Sequence, residues 1–130
     1  MSGASTVAPG PRVRAIRGAT TVDRDERDHV EERTQELVRT LLERNGLVEA
    51  DLISIVFTAT DDVRSAFPAE AARTAGITQV PLLCARELDV EGGIPRCIRL
   101  LVHAYTDRSV RDLRHPYLHG ARQLRTDLPE

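Results

Sequence analysis

No tryptophan occurs among the chain's 130 residues, and aromatic side chains make up only 3% of them. Any core must therefore be built from Val, Leu, Ile and Ala, which a hydrophobic content of 41% permits. Lysine is absent too: all 18 basic residues are arginine. A G+C-rich genome explains that bias, yet it has a chemical consequence. An anion site in this chain must use planar guanidinium forks rather than ammonium groups. The only cysteines, Cys84 and Cys97, stand far from any C-x-x-C spacing, and the four histidines lack paired metal-ligand spacing. No metal site is therefore expected. No run approaches the roughly 18 apolar residues of a membrane-spanning helix. The net charge of -2 argues against nucleic-acid binding driven by phosphate neutralisation, without excluding a small anionic ligand. G-x-S-x-G, P-loop, G-x-G-x-x-G and H-E-x-x-H signatures are missing. The expectation is a soluble cytoplasmic protein with reduced thiols.

The length suits one domain. Residues 1–11, small, polar and bearing Pro and Gly, read as a disordered tail, leaving 12–130 as the folded unit. Val13 to Arg17 alternates as a strand with one wet face does, until Gly18-Ala19-Thr20-Thr21 breaks it. Val30, Thr34, Leu37, Val38, Leu41 and Leu42 recur at helical spacing. Asp23 and Asp25 suit the helix start, and Asn45-Gly46 suits its stop. His29 falls on the polar side of this helix and reads as surface. Leu52 to Thr58 is β-rich. Phe67 to Arg73 forms a short helix with Pro68 in its first turn, closed by Gly76. Val80 to Cys84 is a strand whose Pro81 marks a start or a sheet edge. Gly92-Gly93 is a turn. Cys97 to Tyr105 fits either a helix or a central strand, and Tyr117 to Arg125 carries weak signals. The order gives an α/β (α+β) fold with helices layered on a sheet.

One arginine stands out. Arg99 interrupts an apolar run, and arginine is seldom buried unless paired. Glu87 is the nearest plausible carboxylate. On periodicity alone, an Arg99–Glu87 pair is as compatible with a structural role as with a binding site. By the same standard Arg17 is ordinary surface, Tyr117 a core residue with a wet hydroxyl, and Cys84 a small buried hydrophobe.

Several runs in order then carry a resemblance. Ile16-Arg17-Gly18-Ala19-Thr20-Thr21-Val22 and Ser65-Ala66-Phe67-Pro68-Ala69 are the first two. Val80 to Gly93 (VPLLCARELDVEGG), Cys97-Ile98-Arg99, Arg114-His115-Pro116-Tyr117-Leu118 and Leu124-Arg125 follow. Over about residues 12–128 the chain resembles the monofunctional, trimeric α/β-class chorismate mutases, the non-helical class. The resemblance implies a mixed β-sheet with helices packed on one face, three copies forming a homotrimeric pseudo-α/β-barrel, and active sites between neighbours. It makes Cys97–Tyr105 a strand, and the segment around Leu118–Leu124 another. It implies chorismate as substrate, no cofactor and no metal.

By the family's pattern Arg99 is the cation at the breaking ether oxygen. Arg17 and Tyr117 hold a substrate carboxylate, and Glu87 with Cys84 beside it binds the ring hydroxyl. Phe67 and Ala69 form an apolar wall. Leu82, Leu83 and Leu124 line the cleft, and Arg73 and Arg125 stand at its entrance. Two positions depart. Glu70 stands where Lys is common, placing a repelling charge near the substrate, and Leu83 stands where Thr is common. A trimeric imine-deaminase-like enzyme and a non-catalytic small-anion binding module are the alternatives.

Overall fold

The computed structural model describes residues 10–124. The tail expected over residues 1–11 falls outside them apart from Gly10 and Pro11, as does Arg125. Four strands form one mixed sheet in the order β1-β4-β2-β3. They are β1 (Arg12–Thr21), β2 (Leu52–Ala59), β3 (Leu82–Arg86) and β4 (Cys97–Thr106). β4 lies antiparallel between β1 and β2, and β3 pairs parallel to β2 at the edge. Pro81 therefore sits just before an edge strand, where its missing N–H costs no ladder bond. Cys97–Tyr105, ambiguous by composition, belongs to the central strand.

Helix α1 (Arg27–Arg44) and helix α2 (Pro68–Thr74) connect strands. The α1 stripe Val30, Thr34, Leu37, Val38 and Leu41 is buried. It packs into one cluster with Ile16, Ile55, Phe57, Ile98, Leu100 and Val102 from the sheet. Each fully buried Leu, Ile or Val contributes about 1.5–3 kcal/mol, so this layer holds the domain together without large aromatics. In β4 the even residues 98 to 104 face that core, while Arg99, Leu101, His103 and Tyr105 face the other side. Neither α1 nor α2 covers this second face. Val13, Leu83 and Tyr105, which lie on it, are 51%, 61% and 52% exposed.

The structure corrects four expectations. Gly18 does not break β1, which runs on to Thr21. A Cβ at Gly18 would lie 3.1 Å from the Pro116 carbonyl oxygen and 3.2 Å from a Leu37 methyl, so glycine serves close packing there. Asp23 and Asp25 do not cap α1. Its N-cap is Glu26, with no side-chain cap. Asp25 instead accepts hydrogen bonds from the backbone N–H groups of Arg64 and Ser65, at 3.0–3.1 Å. Burial pushes its carboxyl up, but the Ser65 side chain together with these backbone donors outweighs burial and holds it below the usual carboxylate value. His29 is buried rather than surface, its Nε2 accepting the Asp23 N–H at 3.0 Å.

Finally, the segment around Leu118–Leu124 is not a full strand. Pairing with β1 is confined to a parallel bridge between Ala19 and Tyr117. His119 then adopts a left-handed φ of 53°, and His119–Leu124 coils as 3-10 helix. Asn45 and Gly46 end α1 as expected, Gly46 with φ 63°. Asn45 also ties the chain beyond β4 to α1. Its Nδ2 donates to the Leu41 and Arg114 carbonyls, and its Oδ1 accepts the Arg114 N–H.

Candidate active site

Strand alternation decides which side chains can meet. Arg99 on β4 stands directly opposite Thr58 on β2 and Ala19 on β1, all on the face that α1 and α2 leave open. Glu87 follows β3 directly, and its N–H donates to the Ala59 carbonyl at 3.0 Å. That turn returns its carboxylate across the end of β2. The Thr58 hydroxyl donates to Glu87 Oε1 at 2.8 Å, and Arg99 Nε lies 3.3 Å from the same oxygen. Arg99 Nε is shielded from solvent yet makes no aligned hydrogen bond, while its side chain as a whole stays 44% exposed. The guanidinium is thus held by charge at its Nε edge, has Cys97 beside it, and stays partly open to solvent.

Arg17, opposite Leu101, is an exposed neighbour on the same face, diagonal to Arg99. Such a diagonal pair is about 7–8 Å apart, within reach of two long side chains sharing one anion. Tyr117 packs with Ala19, Cys97 and Ala121, and Leu124 lies against that small cluster. The Cys97 thiol is pushed up by burial, partly opposed by the Arg99 charge, so it stays protonated beside the site. Arg17, Glu87, Arg99, Tyr117 and Leu124 therefore gather on the open face or its rim.

The remaining residues named from sequence do not join them within one chain. Cys84 pairs with Phe57 and so faces the helices. The Ala69 N–H donates to its Sγ at 3.3 Å, which fixes the start of α2 on the sheet edge. Cys84 is therefore not beside the Glu87 carboxylate. Leu82 packs against the main core, Phe67 is 67% exposed and Arg73 is an exposed residue in the last turn of α2. Leu83 alone of this edge group points to the open face, opposite Val56. Arg125 lies outside the described residues. A cleft of about 660 Å³ beside this edge is lined by Phe67, Cys84, Arg27, Arg64, Arg86 and others. Glu70 also lines it and pairs with Arg27 at 3.3 Å, so its charge does not face the cleft unopposed. Both side chains are half exposed or more, and the pair's worth to stability is small.

Sequence reasoning missed Thr58 and Thr60. Thr58 was readable as the polar end of an apolar strand but had no partner until Glu87 was placed. The Thr60 hydroxyl accepts the Cys97 N–H at 2.9 Å and donates to Asp62, whose carboxylate also accepts the Arg96 N–H. These bonds fix where β4 begins, two residues before Arg99.

The sequence model of chorismate mutase type I matches residues 13–128. The chain belongs to that family. A curated relative, chorismate mutase AroH of Thermus thermophilus, is 48% identical over 117 residues, covering 89% of this chain and 96% of the relative. Chorismate mutase AroH of Bacillus subtilis is 38% identical over 117 residues, covering 89% and 92%. A solved chorismate mutase from Clostridium thermocellum superposes with a TM-score of 0.83 at 47% identity, covering 85% of this chain and 98% of that one. The chain is thus a chorismate mutase, an isomerase of aromatic amino-acid biosynthesis, with the fold of its relatives. The imine-deaminase and binding-module alternatives gain nothing from these matches.

Proposed function

We propose that this chorismate mutase rearranges chorismate to prephenate in clefts completed by a neighbouring copy within a homotrimer, in the cytoplasm. The observation that carries the reading is the division of the candidate residues. Arg17, Glu87, Arg99 and Tyr117 lie on an open sheet face that exposes Val13, Leu83 and Tyr105. Ala69, Cys84 and Leu82 pack on the helix-covered side of the sheet, with Phe67 and Arg73 exposed on α2 or just before it. The sheet stands between the two groups within one chain, which supports a ligand site shared by two copies.

The rearrangement is a one-step pericyclic shift. It requires no nucleophile and no proton transfer, so the side chains act by shape and charge. The enolpyruvyl group must be held over the ring in a near-attack geometry. As the ether C–O bond breaks, negative charge collects on its oxygen. Arg99, already oriented by Glu87, donates to that oxygen and to a carboxylate, as an oxyanion-hole donor would. Arg17 and Tyr117 hold a carboxylate of the substrate. Glu87 accepts the ring hydroxyl and places negative charge near the ring, where positive charge develops. From the neighbouring copy, Phe67 and Ala69 wall the ring, Cys84 meets the hydroxyl side, and Leu82 and Leu83 line the cleft. Leu124 closes the Tyr117 side, with Arg73 and Arg125 at the entrance. Residues 12–130 act as one catalytic domain.

Mixing two inactive variants tests this. Arg99→Ala removes one group and Phe67→Asp spoils the other, at a surface position that folding tolerates. Co-expressed, they should form hybrid trimers that regain measurable chorismate turnover, because one shared site in a hybrid is wholly wild type. Mass measurement should give three copies. No recovery from well-mixed hybrids would place each site within a single chain.

A further inference from the structure

The outer edge of β1 raises a backbone question that a side chain answers. In the antiparallel ladder with β4, alternate residues of β1 point their N–H and C=O groups away from β4. At Ala19 these groups are met by a parallel partner: its N–H donates to the Pro116 carbonyl at 3.0 Å, and its carbonyl accepts the Leu118 N–H at 2.8 Å. Two residues earlier the same ladder would pair Arg17 with the Arg114 carbonyl and the residue-116 N–H. Residue 116 is proline and has no N–H. The Arg114 carbonyl is diverted, because Asn45 Nδ2 holds it at 2.9 Å while Asn45 Oδ1 accepts the Arg114 N–H at 2.8 Å. The ladder stops one step short of Arg17.

His115 fills the gap. Its ring is buried, and its Nδ1 accepts the Arg17 N–H at 3.0 Å. An accepting Nδ1 carries a lone pair, so the neutral ring bears its proton on Nε2. Two residues later comes Tyr117, bridged to Ala19. The short run from His115 to Leu118 therefore clamps the edge of β1 at Arg17 and at Ala19, with Tyr117 bridged to Ala19 two residues along from Arg17.

We infer that His115 is a positioning residue for Arg17: the Nδ1 lone pair fixes the backbone from which that guanidinium reaches the substrate carboxylate. The inference rests on the binding role proposed for Arg17. His115 touches no substrate; it acts by keeping Arg17 preorganised, so its loss weakens ground-state binding more than the chemical step.

Four variants decide it: His115→Phe, which keeps a ring and loses the acceptor; His115→Asn, whose Oδ1 can take the place of Nδ1; Arg17→Ala; and His115→Phe with Arg17→Ala. Steady-state KM and kcat are read together with the dissociation constant of a dicarboxylate transition-state analogue. His115→Phe should raise KM roughly tenfold, less than the ~10²-fold that a full misplacement of a positioning group can cost, and leave kcat within about twofold. His115→Asn should restore most of the affinity, and the double variant should bind no worse than Arg17→Ala. Amide exchange at Arg17 should be faster in His115→Phe than in His115→Asn. If His115→Phe does not fold, His115→Ala carries the same expectations. Unchanged KM in a folded His115→Phe, no rescue by asparagine, or a full His115 effect persisting without the Arg17 side chain would each overturn the inference. If Arg17→Ala itself leaves KM unchanged, the role given to Arg17 fails. Faster exchange at its amide in His115→Phe would then show the clamp intact as a purely structural bond.

Discussion

Replacing Thr58 by valine removes one hydroxyl and little else, and that hydroxyl orients the Glu87 carboxylate. Thr58 stands opposite Arg99 in the register of β2 and β4, and donates to Glu87 Oε1 at 2.8 Å. Glu87 keeps two further contacts, Arg99 at 3.3 Å and the Leu88 N–H at 3.3 Å, so its carboxylate loosens rather than leaves. A hydrogen bond to a charged acceptor is worth about 1.5–3 kcal/mol. The Glu87 side chain is 22% exposed, so water recovers part of this and the lower end applies. About 1.4 kcal/mol is a factor of ten, so kcat/KM for chorismate should fall roughly tenfold. Stability should fall by no more than about 1.5 kcal/mol, the lower end of that range, since valine matches threonine in shape at a half-buried position. The assay is loss of chorismate absorbance with purified protein in metal-free buffer, with Thr58→Ser as the variant that keeps the hydroxyl. A folded Thr58→Val with kcat/KM within twofold of the parent would refute the claim that Thr58 orients Glu87, and with it the view that the Arg99–Glu87 pair is held in a set geometry.

Gly18→Ala should destabilise the fold by roughly 1–3 kcal/mol, because the new Cβ meets the Pro116 backbone oxygen at 3.1 Å, which cannot rotate aside; an unchanged thermal midpoint would contradict this. Asp25→Asn tests the loop before α2. The Asp25 carboxyl is held below its ordinary value of 3.8, so its charge stabilises the fold above that pH and the contribution is lost as pH falls through the depressed value. The stability gap between parent and Asp25→Asn should therefore be flat near neutral pH and shrink in acid below about pH 4. A gap of the same size at both ends, measured by denaturant unfolding, would show that the carboxylate charge is not what holds the Arg64 and Ser65 amides.

Much of the fold was legible because its elements obey simple periods. The α1 stripe from Val30 to Leu41 repeats at helical spacing, and Pro68 and Gly46 mark helix ends by backbone chemistry alone. What failed was what depends on distant partners. Asp25 has the chemistry of a cap, but the free amides of Arg64 and Ser65 lay far along the chain and claimed it. His29 sat among charged neighbours, yet the Asp23 N–H gave its ring a reason to be buried. Gly18 read as a break because its close contact with Pro116 and Leu37 exists only after folding. The Arg99–Glu87 pair was readable as a possibility from one charge in an apolar run. Its chemical meaning came from resemblance, since periodicity cannot tell a structural ion pair from a substrate cradle. That Cys84 and Arg99 face opposite sides follows from strand parity, once their register with β2 is known.

The central claim is that the Arg99 guanidinium, steadied by Glu87, stabilises the charge that gathers on the departing ether oxygen. The most direct measurement is kcat of Arg99→Ala at saturating chorismate, on protein shown to fold and to assemble as the parent does. Loss of one such donor should lower kcat by at least ~10²–10³. A kcat within tenfold of the parent would mean that the transition state draws its stabilisation from elsewhere.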